Sequence, residues 1–176
     1  MSDGQDKSDV DFSAWIGKSE TEYGKVSAYP ADYFTATLDR DDPPFKDGDP
    51  LPPAWHYFYF HELVKLSETG EDGHRAKGSF MPPIPYPRRM WAGSKMTFAS
   101  PMRIGEDVRK VITIADIAIK DGASGPLCFV TTTEEVFGVD DRLTTTERRT
   151  QVYRDVADPD APKPKPRPAP AEPVWS

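Results

Sequence analysis

The clearest pattern lies in the second half of the chain. Across "VRKVITIADIAIK" apolar residues alternate with polar ones, as a strand with one buried face requires, but the phase slips between Ile112/Ile114 and Ile117/Ile119. One extra residue near Ala115–Asp116 produces such a slip, so a long, curved strand with a bulge is predicted there. "KDGASG" then supplies a turn, "PLCFVTTTEEVF" a return strand, "GVDDR" a second turn and "LTTTERRTQVYRD" a last strand rich in threonine. "SKMTFASP", with Met96 and Phe98 on one face, predicts a further strand ahead of them.

The first half reads differently. "SAYPADYFTATLDR" has Pro30 near a helix start and Asp32 in the first turn, and places Tyr33, Phe34, Thr37 and Leu38 on one helical face. Prolines 43, 44, 50, 52 and 53 then exclude a long regular element until Ala54. "WHYFYFHELVKL" is compatible with a buried strand or a short helix. "GSFMPPIPYPRRMWAGS", from Gly78 to Ser94, combines four prolines, two adjacent arginines and a tryptophan, and is expected to be a stiff cationic loop. One helix ahead of an antiparallel meander belongs to the α+β class, with the helix packed on one face of the sheet.

Composition narrows this picture. The hydrophobic share of the 176 residues is 37%, unevenly spread: residues 158–176 hold seven of the 19 prolines and almost nothing that builds a core. A leader over residues 1–9, a single domain over 10–157 and a disordered, extended Pro-rich tail over 158–176 are therefore expected. In the tail Lys163, Lys165 and Arg167 alternate with prolines, as in a solvated spacer. The formal charge is −7, and because the tail's acids and bases cancel, the body carries it all. That argues against a general nucleic-acid binder. Cys128 is the single cysteine, so no internal disulfide forms and a reducing compartment is expected. The N-terminus lacks a signal-peptide pattern and no run of about 18 apolar residues occurs, so a cytoplasmic protein without a membrane partner is expected.

No nucleophile elbow, phosphate loop or dinucleotide fingerprint is present, and His56, His61 and His74 have no spacing or cysteine support for a metal site. Asp72 and His74 in "EDGHRAKG" are weak catalytic candidates, against the alternative that the carboxylate merely fixes its own turn. Arg88 and Arg89, beside Trp91, suit a bidentate contact to phosphate or carboxylate; pairing with surface acids is the competing reading.

"LPPAWHYF", "DGHRAKGSFMPPIPYPRRMWAGSKMTFASPMRIGEDV", "IADIAIKDGASGPLCFVTTTEEV" and "QVYRD" together resemble the N-terminal dehydratase-like domain of the MaoC hot dog superfamily, the first half of mesaconyl-CoA hydratase-like double hot dog proteins. The resemblance implies a hot dog fold, a curved antiparallel sheet wrapped around a central helix. It also implies reversible addition of water to an enoyl thioester carried on coenzyme A or acyl carrier protein, with no cofactor besides that carrier. Catalytic relatives use an Asp/His dyad in a D-x-N-P-x-H run, and this sequence contains none. The expectation is thus a hetero-oligomer in which this chain shapes the acyl-CoA pocket beside a dyad-bearing MaoC-like subunit. The alternative is a homodimeric, non-catalytic acyl-CoA-binding or scaffold protein. Trp55, His56, Arg88, Arg89, Trp91, Gly93 and Lys120 are the expected pocket and coenzyme contacts, with Arg88, Arg89 or Lys120 on the phosphates.

Overall fold

The computed structural model describes residues 11–122 and 125–156. The expected leader over 1–9 and tail over 158–176 lie outside them. Five strands form one antiparallel sheet: β1 (Ser19–Lys25), β2 (Arg88–Phe98), β3 (Asp107–Gly122), β4 (Gly125–Phe137) and β5 (Leu143–Arg154), in the order β1-β3-β4-β5-β2. The meander β3-β4-β5 fills the centre and leaves β1 and β2 at the edges. Together with one helix, α1 (Ala28–Thr37), this is the hot dog architecture expected from the sequence.

The bulge lies where the apolar phase slips. The β3–β4 register shifts between Ile114 and Asp116, so Ala115 is the extra residue. Ile112 and Ile114 before it, and Ile117 and Ile119 after it, consequently share the inner face.

The helix is present, but its buried stripe is not the expected one. Tyr33 is 66% exposed and Leu38 47%, whereas Ala31 and Thr35 are buried and Phe34 is half-buried. Small residues face the sheet because Ala31 must fit beside Val26, Val108 and Val136. Phe34 turns instead onto the 3-10 turn Trp55–Phe58, its ring 5.0 Å from Trp55 and 4.5 Å from Phe58. Of the two alternatives for "WHYFYFHELVKL", the short helix is the one that forms, as the 3-10 turn Trp55–Phe58, and no strand follows within it.

The reading of Gly78–Ser94 as one loop needs correction. Only its proline-bearing part is irregular, and "RRMWAGS" opens strand β2 directly after Pro87. Proline cannot donate to a ladder, so pairing starts where the prolines stop. The extended segment before it alternates: Phe80, Pro82, Ile84 and Tyr86 are buried, while Pro83 and Pro87 are exposed. Phe80, Ile84 and Tyr86 pack with Phe12, Ile114, Cys128, Val130 and Tyr153 into one apolar cluster. A second cluster, built on Val26, Ala31, Leu51, Trp55, Met102, Ile104, Val108 and Val136, covers the other end of the sheet face.

Among the described residues, no helix is long and apolar enough to cross a membrane. Because the proline segment acts as core, Ile84→Ala is expected to cost about 2–5 kcal/mol of stability, measured by urea denaturation. A loss well under about 1 kcal/mol would show that the segment merely lies over the sheet.

Candidate functional site

Between the two apolar clusters the same sheet face turns polar. The register sets Glu134 of β4 directly opposite Glu147 of β5, and Thr132 opposite Arg149. Glu134 and Glu147 are buried, 7% and 1% exposed. Two like charges facing each other across a ladder destabilise it unless something intervenes. Arg149 is that element. Its Nε and Nη2 donate to Glu147 Oε1 and Oε2 at 3.1 and 3.0 Å, and its Nε stands 3.5 Å from Glu134 Oε1.

Glu147 collects further donors. Tyr57 Oη donates to its Oε2 at 2.7 Å and Ser94 Oγ donates to its Oε1. Trp91 Nε1 donates in turn to Ser94 Oγ at 3.1 Å. Burial pushes Glu147 up, but the hydrogen bonds from Arg149, Ser94 and Tyr57 outweigh it and hold the carboxyl below its ordinary range. Glu134 ends on the other side: burial raises it, and Arg149 and Lys110 offset only part of that. Tyr57 is pushed up to about 12, by burial first and by its hydrogen bond to Glu147 second. Two facing carboxyls with opposite shifts are the arrangement that lets one hold a proton while its neighbour stays ionised.

A cavity of about 530 Å³ opens over this layer. Its floor includes Thr132, Glu134, Arg149 and Gln151, and Phe80, Met81 and Arg89 close one side. At the rim the charges are tied in pairs: Arg75 contacts Glu20 at 2.8 Å and Glu62 at 3.0 Å, and Lys110 contacts Glu22 at 2.9 Å.

The residues singled out from the sequence do not converge on one place. Asp72 Oδ2 lies 3.0 Å from Arg89 Nε, close enough for charge pairing though off the line of the N–H bond. Asp72 also accepts the His74 backbone N–H at 3.2 Å, fixing the turn, while His74 itself lies along the cavity rim. Arg89 faces inward over the Tyr153 ring, 5.4 Å away, but Arg88 points to the opposite face, directly across from Arg154. Lys120 is exposed in the same cross-strand row as Leu127, Arg154 and Arg88. Trp91, 70% exposed, and Gly93 flank a second bulge on the edge strand β2. Trp55 belongs to the core. His56 is buried, stacked on Tyr57 at 4.4 Å, and borders a separate cavity of about 520 Å³ that Pro52, Phe98 and Met102 also line. Burial lowers its pKa and keeps it neutral at pH 7. Cys128 is buried mid-strand, its thiol pushed up to about 11 by burial, as befits a structural residue. Among the described residues no group of three His, Cys, Asp or Glu stands ready to hold a metal.

Sequence reasoning missed Tyr57, Ser94, Glu134, Glu147 and Arg149. A signal for three of them existed: the phase set by Cys128, Val130 and Val136 carries Glu134 inward, and that set by Tyr153 carries Arg149 and Glu147 inward.

Comparison with known proteins gives three findings. A family model for hydroxyacyl-thioester dehydratase type 2 matches residues 54–175. The chain is 40% identical over 152 residues to mesaconyl-C(4)-CoA hydratase of Chloroflexus aurantiacus; the match takes in 86% of this chain and 54% of that protein, so the chain spans about half the length of that relative. Among solved structures, the ChsH1-ChsH2 complex from Mycobacterium tuberculosis superposes with a TM-score of 0.58 at 16% identity, covering 83% of this chain and 89% of that one.

The opposed shifts of the two glutamates give a pH test. A raised carboxyl contributes stability below its ordinary value and loses it as pH rises through the folded value. Glu134→Gln mimics the protonated acid, so it is expected to melt above wild type at neutral pH, with the gap closing towards about pH 4. A gap that widens on acidification contradicts this. Glu147→Gln, by contrast, strips Arg149 of its main partner and is expected to cost about 3–5 kcal/mol at neutral pH.

Proposed function

The chain belongs to the hydroxyacyl-thioester dehydratase type 2 family, and from that premise we propose that it is the non-dyad half of an acyl-thioester hydratase or dehydratase, working against a second hot dog that carries the acid and base. The observation that carries this reading is the 40% identity to a hydratase of which the chain spans about half, in a sequence without the D-x-N-P-x-H run. Two structural features support it. Strand β2 is an edge, 11 residues long, paired only with β5 among the described residues, and it exposes Trp91 and Phe98. An edge of that length is a template for a second sheet. One solved structure of the same fold is that of a complex of two proteins, which fits a paired arrangement.

In the proposed division of labour, the partner's base removes the α-proton of a 3-hydroxyacyl thioester and its acid protonates the departing hydroxyl, giving enoyl thioester and water; hydration is the reverse. This chain supplies a wall of the acyl pocket. Arg88 and Lys120, exposed in one row with Arg154, are the proposed contacts for coenzyme phosphates. Arg89, held by Asp72 on the inner face, is turned towards the acyl side instead.

The test is reconstitution. The purified chain is expected to leave the absorbance of crotonyl-CoA unchanged, and addition of a dyad-bearing hot dog protein with which it co-purifies is expected to start turnover. Turnover by the chain alone would contradict the reading. Saturable acyl-CoA binding by a homodimer, with no turnover in either mixture, would establish the scaffold alternative.

A further inference from the structure

The second cavity, of about 520 Å³, differs from the first in having no charged side chain on its walls. Four prolines, at positions 50, 52, 53 and 101, line it together with Leu51, Phe98 and Met102. Apolar walls with a few polar groups are the pattern of a small-molecule site, and an ion entering this one would lose its hydration with no counter-charge in return. A fitting occupant is therefore neutral and mainly apolar.

Three polar side chains interrupt the apolar wall. Ser100 is committed, donating to the Leu143 carbonyl at 2.7 Å and accepting Arg142 Nη1 at 2.8 Å. His56 and Thr145 are not: they are 5% and 4% exposed, and neither the imidazole nor the hydroxyl makes a hydrogen bond among the described residues. A buried polar group without a partner is a cost that a bound group removes. The imidazole is also held in place, because it stacks on Tyr57, whose hydroxyl is fixed on Glu147.

We propose that this cavity binds a small neutral phenol, its ring against the prolines and its hydroxyl on His56. A neutral imidazole has one donor and one acceptor nitrogen, so a hydroxyl, which does both, pairs with it in either tautomer. Proline rings pack well on aromatic rings, the contact by which proline-rich peptides dock into aromatic grooves. An apolar cavity of about 150 Å³ already holds benzene, so a substituted ring fits within about 520 Å³. The inference stands apart from the acyl-thioester reading, since the two cavities share no lining residue.

Isothermal titration calorimetry of the full chain with p-cresol and with toluene, which differ only in the hydroxyl, tests it. p-Cresol is expected to saturate the site and to bind about tenfold tighter than toluene, the equivalent of one hydrogen bond. His56→Phe keeps a ring to stack on Tyr57, so it is expected to bind both molecules equally, at the affinity of toluene. Ala99→Trp, at an exposed position on the cavity wall, is expected to abolish binding of both without lowering the melting temperature. Equal affinity of the wild type for p-cresol and toluene overturns the proposal. Saturable binding of neither shows a cavity that holds water only and overturns it as well. So does a preference that survives in folded His56→Phe, or binding that survives Ala99→Trp. If melting curves show His56→Phe unfolded, Ala99→Trp decides.

Discussion

Two carboxylates facing each other inside a sheet require a cation between them, and the placement of that cation governs much of this molecule. The β4–β5 hairpin turns through Val139–Asp141, where Asp140 and Asp141 adopt positive φ, and the register it sets leaves Glu134 and Glu147 directly opposed. A slip of one residue by either strand would turn that strand's glutamate to the outer face and bring its neighbour, Thr133 on β4 or Arg148 on β5, inward instead. Arg149 fixes the register in the other direction, since it reaches both acids from β5 itself. Truncating it would leave two buried carboxylates without compensation, a far larger loss than that of an exposed ion pair.

This charged layer also explains why the core is split. Buried apolar area stabilises by about 25 cal/mol per Å², and a chain with 37% hydrophobic residues has little of it to spare. Giving the middle of the sheet face to Glu, Arg, Thr and Gln forgoes such burial at the best-shielded position. The loss is offset at both ends: α1 and the Trp55–Phe58 turn cover one, and the extended proline segment lays Phe80, Ile84 and Tyr86 over the other. The prolines matter for entropy as well as packing, because they hold that segment extended before it folds.

How much of this was legible follows from which signals are local. The central meander was, because alternation around Ile112–Ile119 and Cys128–Val136 records one buried face, and even the Ala115 bulge left a phase slip. Strand β1 was not, since "SETEYGK" turns Glu20 and Glu22 inward and has no apolar phase to read. The helix was located but its face misjudged: periodicity marks large apolar residues, and here the sheet admits Ala31 while Tyr33 stays in solvent. The family signal lay in local motifs such as "GSFMPP", "RRMWAGS" and "KDGASGPLCFVT". The charged site escaped because a Glu or Arg in a strand reads as solvent-facing, and only cross-strand register shows that Glu134, Glu147 and Arg149 meet. Adjacent Arg88 and Arg89 read as a pair, yet period 2 sends neighbours to opposite faces.

One consequence joins the open edge to the cavity. Trp91, exposed on β2, donates to Ser94, which donates to Glu147, whose other partner Arg149 floors the cavity beside Glu134. A sheet that pairs with β2 therefore lands two hydrogen bonds from the buried carboxylates. Displacing the Trp91 indole removes the donor that Ser94 Oγ accepts from, and so weakens through the chain one of the contacts that hold Glu147 ionised. Assembly and cavity electrostatics are in this way a single coupled system. That gives a physical reason for the bulge between Trp91 and Gly93: it lets Trp91 and Ser94 lie on the same face of an edge strand, where neither a regular alternation nor a loop would bring them together.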